Sequence, residues 1–140
     1  MSVSEQRERL RHLALAAIDS QADALIALSK RIHANPELGL QEYESSAACA
    51  GFLDQRGFNV TRGVADLPTA FAATRGEGGP TIAYLSEYDA LAGIGHGCGH
   101  NLIAIAGLAA GIGLAAAIDE LGAGRVQVFG TPAEETFGGK

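Results

Sequence analysis

Residues 81–129 read TIAYLSEYDALAGIGHGCGHNLIAIAGLAAGIGLAAAIDELGAGRVQVF, and this stretch decides the fold. Residues 81–86 have the composition of a strand, residues 102–118 form an uncharged run that predicts a helix, and residues 126–129 predict a second strand. A strand, a helix and a strand of this combined length are typical of a parallel βαβ crossover. We therefore expect an α/β fold with a mixed, largely parallel sheet flanked by helices.

Helices are predicted upstream of this unit. Apolar residues recur at helical spacing at Leu10, Leu13, Ala14, Ala17, Ala24, Leu25, Leu28 and Ile32. We expect a break near Asp19, where Ser20 and Asp23 provide capping groups for a second helix. This helix should end at Asn35, because a residue before proline avoids the helical region. A further helix is predicted from Gln41 to Arg56.

Two more strands are predicted between these helices and the crossover. Phe58, Val60 and Val64 indicate one strand, and residues 69–74 indicate the next. The glycine-rich residues 76–79 then predict a flexible hairpin turn into the strand at residues 81–86.

The uncharged run from Leu102 to Ile118 is at the lower edge of membrane-spanning length. It is built from Ala and Gly more than from Leu, and small residues allow a helix to lie close against a sheet. We interpret it as a buried helix with Asn101 as its N-cap, and we retain a membrane span as the alternative.

Composition excludes several classes of protein. The chain has 140 residues, 10 Lys and Arg against 16 Asp and Glu, a net charge of −6 and 47% hydrophobic residues, which predicts a globular domain or part of one. The acidic balance argues against nucleic-acid binding, and two cysteines are too few for a disulfide-stapled domain. The N-terminus lacks the pattern of a signal peptide, so we expect a cytoplasmic protein.

Polar residues cluster where two of the predicted strands end. One cluster runs from Glu87 to Asn101, and the other runs from Thr131 to Glu135. Parallel sheets bind ligands outside the carboxyl ends of their strands. If the two strands are neighbours in the sheet, the two clusters meet there.

These clusters contain metal-binding chemistry. Cys98 and His100 are two residues apart among glycines, and thiolate and imidazole are good ligands for zinc and related metals. The following helix N-terminus is expected to lower the pKa of the thiol. Of the adjacent carboxylates Glu134 and Glu135, one can bind metal while the other faces a metal-bound water, and Asp89 is placed to orient a ligand.

Four motifs then carry a family resemblance. They are His33-Ala34-Asn35-Pro36-Glu37-Leu38, Tyr88-Asp89-Ala90-Leu91, Gly95-His96-Gly97-Cys98-Gly99-His100-Asn101 and Gly130-Thr131-Pro132-Ala133-Glu134-Glu135. In this order they resemble the metal-dependent amidohydrolases and peptidases that include aminobenzoyl-glutamate hydrolase, the N-acyl-amino-acid amidohydrolases and carboxypeptidase G. The third motif is most similar to the aminobenzoyl-glutamate and dipeptidase branch.

The resemblance implies a role for each site residue. Cys98, His100 and Glu135 would bind metal, Glu134 would be the general base, and Asp89 would be a supporting acidic residue of the catalytic site. The resemblance also implies two divalent metal ions and a smaller domain that closes the site and often dimerises. A thiolate ligand favours zinc, with manganese, cobalt or nickel as alternatives.

The function expected from these residues is hydrolysis of an amide bond in an N-acyl amino acid or a small dipeptide, with no nucleic-acid or membrane partner. The chain stops a few residues after a strand, so we expect residues 1–140 to be the N-terminal portion of a catalytic domain. The remaining histidine ligands and the smaller, dimerising domain would lie beyond Lys140, which predicts that this segment alone is inactive. The alternatives are a non-catalytic metal-binding fragment and, more weakly, a thiol-redox protein using Cys98.

Overall fold

The computed structural model describes residues 1–138 of the chain. In chain order the elements are α1 (Val3–Asp19), α2 (Ala22–Ala34), α3 (Tyr43–Asp54), β1 (Asn59–Arg62), a 3-10 turn (Val64–Asp66), β2 (Phe71–Glu77), β3 (Thr81–Glu87), α4 (His100–Leu121), β4 (Gly124–Thr131) and the short α5 (Glu134–Phe137).

Within the described residues the strands form a mixed sheet in the order β1-β2-β4-β3. β3 and β4 are parallel neighbours joined through α4, so the predicted βαβ crossover and the α/β class are confirmed. The pairs β1–β2 and β2–β4 are antiparallel. Among the described strands, one of the three pairings is therefore parallel, whereas the sequence predicted a largely parallel sheet.

The expected hairpin between β2 and β3 is wrong, because β4 lies between these two strands. Val126 and Val128 of β4 are fully buried, whereas Ile82 and Leu85 of β3 are exposed. β4 is therefore an interior strand of the sheet with its valines buried, while the apolar side chains of β3 remain exposed. Residues 76–79 instead pass close to the start of β4, where a Cβ at Gly76 would lie 2.4 Å from the carbonyl oxygen of Gly124.

Helix α4 packs closely on the sheet and on α1, because its glycines leave room for both. A Cβ at Gly111 would lie 2.4 Å from Cγ2 of Val128, and a Cβ at Gly113 would lie 2.9 Å from Cδ1 of Ile18 in α1. By length and composition α4 could also cross a membrane, but half of its apolar window is buried within the fold.

Several helix termini differ from the sequence predictions. The break after α1 occurs where expected. The residue at the N-cap position of α2 is Gln21, and its side chain makes no capping hydrogen bond. The Ser20 hydroxyl instead donates to the Ala17 carbonyl of α1. Asn101 is not the N-cap of α4, because the helix begins at His100 after the left-handed Gly99. The Asn101 amide instead donates to Ser29 Oγ over 3.0 Å and joins α4 to α2.

The segment between α3 and β2 also differs in detail. Helix α3 is shorter than predicted by two residues at each end. Strand β1 ends at Arg62, and Val64 belongs to the 3-10 turn because the left-handed Gly63 breaks the extended backbone.

Candidate metal centre

The two polar clusters meet at one edge of the sheet, as predicted. In the parallel pairing of β3 and β4, Glu87 is in register with Thr131. The residues that follow each strand therefore emerge side by side, and His100 enters the same space at the start of α4.

His100 is at the centre of this cluster and is 3% exposed. Its Nδ1 atom lies 3.0 Å from the backbone oxygen of Asp89 and 2.9 Å from the Oδ1 atom of the same residue. Both oxygens are acceptors, so Nδ1 carries a proton, and in the neutral ring Nε2 then has the lone pair. This is the tautomer in which Nε2 can bind a metal ion.

Three carboxylates surround the free Nε2 atom of His100. Oε2 of Glu87 lies 3.4 Å away, and Oε2 of Glu134 and Oε1 of Glu135 each lie 3.7 Å away. One ligand atom each from Glu87, His100 and Glu134 can be chosen so that all three lie within 4.8 Å of one another. Oxygen and imidazole ligands at this spacing suit a divalent cation, which would also offset the repulsion between the carboxylates.

Asp89 is 1% exposed and connects the two sides of the site. Its Oδ2 atom accepts the backbone N–H of Glu135 over 3.0 Å. Its Oδ1 atom has no hydrogen bond of good geometry to any described residue, despite its short distance to His100. A buried carboxylate oxygen without a good donor is costly, and a cation would satisfy it, so the residues present fit a metal ion.

The exposed thiol of Cys98 faces the same acidic cluster. A hydrogen bond with Glu135 raises the pKa of Cys98, and burial and the negative charges of Glu135, Glu134 and Asp89 raise it further. The expectation that the helix N-terminus lowers the pKa of this thiol is therefore wrong. The nearby carboxylates outweigh the helix dipole there, and a bound cation would favour the thiolate.

The structure thus brings together all five residues singled out from the sequence, namely Cys98, His100, Glu134, Glu135 and Asp89. It adds Glu87, whose role in the cluster the sequence analysis missed. A signal was available, because side chains two residues apart on a strand point to the same face and Glu87 is two residues before Asp89.

The other histidines of the loop motifs have a different arrangement. His96 stacks on His33 with ring centroids 6.2 Å apart. Burial lowers the pKa of His96, and the neighbouring His33 lowers it further. Among the described residues, neither histidine belongs to the group with metal-ligand spacing.

The fold and the site define an α/β unit with a candidate metal centre at the carboxyl ends of its two parallel strands. No family model matches the chain. It is 37% identical to a p-aminobenzoyl-glutamate hydrolase chain of Escherichia coli, over 89% of this chain and 30% of that protein. It is 40% identical to the mouse Xaa-Arg dipeptidase, over 99% of this chain and 35% of that protein. The chain thus spans about a third of the length of these relatives.

Comparison with solved structures gives a similar result. A putative aminohydrolase from methicillin-resistant Staphylococcus aureus superposes with a TM-score of 0.78 at 25% identity, over 92% of this chain and 36% of that one. The YXEP protein of Bacillus subtilis, described as a dinuclear metal binding peptidase from the M20 family, gives a TM-score of 0.67 at 28% identity, over 84% of this chain and 36% of that one. The chain is therefore similar, over most of its length, to about a third of several hydrolases and peptidases of the kind that its four motifs resemble.

Proposed function

We propose that the protein hydrolyses the amide bond of an N-acyl amino acid or a small dipeptide with the help of two divalent metal ions. The observation that carries this proposal is the placement of His100 Nε2 within 3.4–3.7 Å of carboxylate oxygens from Glu87, Glu134 and Glu135. The names of its relatives describe hydrolysis of an aminobenzoyl-glutamate and of dipeptides, and both substrates contain such a bond.

The residues that would hold the ions are Cys98, His100 and Glu135, with Glu87 as a further ligand. Bound divalent ions polarise a carbonyl group and lower the pKa of water. The thiolate of Cys98 favours zinc, while the carboxylates also suit manganese, cobalt or nickel.

Glu134 is the general base of the proposed reaction. Its side chain is 26% exposed, so it faces the site and remains accessible to a substrate. It removes a proton from the attacking water, and the oxygen of that water forms a bond to the substrate carbonyl carbon. When the carbon–nitrogen bond breaks, Glu134 gives the proton to the departing amine. Asp89 holds His100 in the tautomer that leaves Nε2 free.

This segment would supply only part of the complete enzyme. Residues 1–140 form the N-terminal portion of the catalytic domain, and further histidine ligands and a smaller, dimerising domain come from outside it. Support for this division is the share of about a third that the chain covers in its relatives.

The deciding experiment measures the activity of the full-length protein against a panel of N-acyl amino acids and dipeptides, together with its metal content. We expect hydrolysis that a chelator abolishes and that zinc, manganese, cobalt or nickel restores, with two ions per site. A metal-loaded protein that hydrolyses no member of the panel would refute the proposed activity. Activity that survives complete removal of metal would refute the proposed mechanism.

A further inference from the structure

A buried carboxylate outside the metal centre contacts the turn that carries Glu134. Glu42 immediately precedes α3 and is 0% exposed. Its Oε1 atom accepts the backbone N–H of Ala133 over 2.8 Å, and its Oε2 atom accepts the hydroxyl of Thr69 over 2.9 Å. Burying a carboxylate is costly unless it is hydrogen-bonded, so these two contacts fix the side chain in place.

Ala133 has a strained backbone at this contact. Its φ of 56° and ψ of 41° lie in the left-handed region, which is unfavourable for a residue with a Cβ. Ala133 is fully buried. A Cβ added at Gly39, which faces it, would lie 3.0 Å from the Cβ of Ala133. The surrounding contacts therefore hold Ala133 in a conformation that it would not adopt freely.

The two backbone amides on either side of Glu134 are both held by buried carboxylates. Glu42 accepts the N–H of Ala133, and Asp89 accepts the N–H of Glu135 over 3.0 Å. The Glu134 side chain leaves the backbone between these two fixed points. Its direction towards Nε2 of His100 therefore depends on both contacts.

We propose that Glu42 is a positioning residue for the Glu134–Glu135 turn. By holding the left-handed Ala133, it directs the Glu134 carboxylate at the reacting water and keeps Glu135 within reach of the metal. This inference rests on the proposed function and deepens it, because it adds a residue to the machinery of the same site.

Glu37 provides a matched control on the neighbouring segment. Its carboxylate also bonds to backbone N–H groups, those of Glu44 at 2.9 Å and Ser45 at 2.7 Å. These bonds hold the start of α3 and do not involve the Glu134–Glu135 turn. Loss of Glu37 therefore reports the structural effect of removing a carboxylate from this part of the fold.

The test compares Glu42→Ala, Glu42→Gln and Glu37→Ala in the full-length protein, each with and without Glu134→Gln. Amide hydrolysis at saturating zinc, zinc affinity by competition with a chelator, and thermal unfolding are measured for each variant. For Glu42→Ala we expect kcat and zinc affinity to fall about 10–100-fold with KM unchanged, because residues that orient a metal site have effects of this size. Glu42→Gln should recover part of the loss, since its amide oxygen can still accept the Ala133 N–H.

In the Glu134→Gln background, Glu42→Ala should lower the residual kcat no further, because Glu42 acts through Glu134. An equal fold-loss in both backgrounds would overturn the proposal, as would Glu37→Ala matching Glu42→Ala in kcat and zinc affinity. If the unmodified protein hydrolyses no amide, the proposed function fails, and zinc affinity alone then decides the role of Glu42. Zinc affinity unchanged in Glu42→Ala would overturn that role, and a 10–100-fold fall would support it.

Discussion

The Nδ1 atom of His100 lies 2.9 Å from Oδ1 of Asp89, and both side chains are almost completely buried. This contact joins the end of β3 to the first residue of α4. It holds the imidazole ring at Nδ1, so that Nε2 on the opposite side of the ring points towards the carboxylates of the site. The relationship makes Asp89 a determinant of metal binding, because it orients the His100 ring.

Asp89→Asn should therefore weaken metal binding. The amide has one acceptor oxygen in place of two, so it serves either His100 or the backbone N–H of Glu135 less well. We expect zinc affinity to fall about 10–100-fold, the range typical of residues that orient metal ligands. Competition with a chelating dye measures this value, and Asp54→Asn at an exposed position is the control. Equal zinc affinities in the two variants would contradict the role of Asp89.

Glu134→Gln should separate metal binding from turnover. The amide cannot accept the proton of the attacking water, so we expect kcat to fall about 10²–10⁴-fold, the usual contribution of a general base. Zinc content should remain, because Cys98, His100 and Glu135 are unchanged. Steady-state kinetics and elemental analysis of the full-length protein test both parts, with the exposed Glu77→Gln as control. Unchanged turnover would show that Glu134 is not the base.

Local sequence patterns predicted the part of the fold that positions the site. The compositions of β3 and β4 and the apolar run of α4 identified the crossover, and its parallel geometry brought the two polar clusters together. The carboxyl ends of two parallel neighbouring strands lie at the same edge of the sheet, regardless of the order and direction of the other strands. Cys98 and His100 were therefore predicted to lie beside Glu135, although Glu135 is distant from both in the chain.

Features that depend on long-range packing were not predictable in the same way. The insertion of β4 between β2 and β3 follows from the burial of Val126 and Val128 on the assembled sheet, and no turn motif signals it. The contact of Glu42 with Ala133 spans 91 positions and depends on a left-handed alanine that nothing in the sequence marks. Such contacts appear only when the tertiary structure is known.

Cys98 should be protected from alkylation by zinc. In the metal-free protein its pKa is raised, chiefly by the hydrogen bond with Glu135, so the thiol form persists to higher pH and iodoacetamide reacts slowly at neutral pH. The rate should increase as the pH rises and the thiolate forms. Bound zinc should suppress the reaction at every pH, because the sulfur becomes a metal ligand.

Cys49 is the internal control for this alkylation experiment. It is fully buried, and burial raises its pKa to about 12, so it should remain unmodified in the folded protein. Cys98→Ser should therefore remove all labelling within residues 1–140, as read by peptide mass spectrometry, and should also lower zinc occupancy. Labelling of Cys98 at the same rate with and without saturating zinc would exclude it as a ligand.

Two glycine substitutions should have opposite effects on stability. A Cβ at Gly107 would lie 2.2 Å from Ser86 Oγ and 2.8 Å from the backbone oxygen of Leu85, so Gly107→Ala forces α4 away from β3. We expect the free energy of unfolding to fall by about 1–3 kcal/mol, the usual cost of overpacking. Gly51 in α3 has no atom within 4 Å of an added Cβ, so Gly51→Ala should raise stability by about 0.5–1 kcal/mol through helix propensity alone. Urea denaturation of the full-length protein measures both changes, and a Gly107→Ala variant as stable as Gly51→Ala would contradict the close packing of α4 on β3.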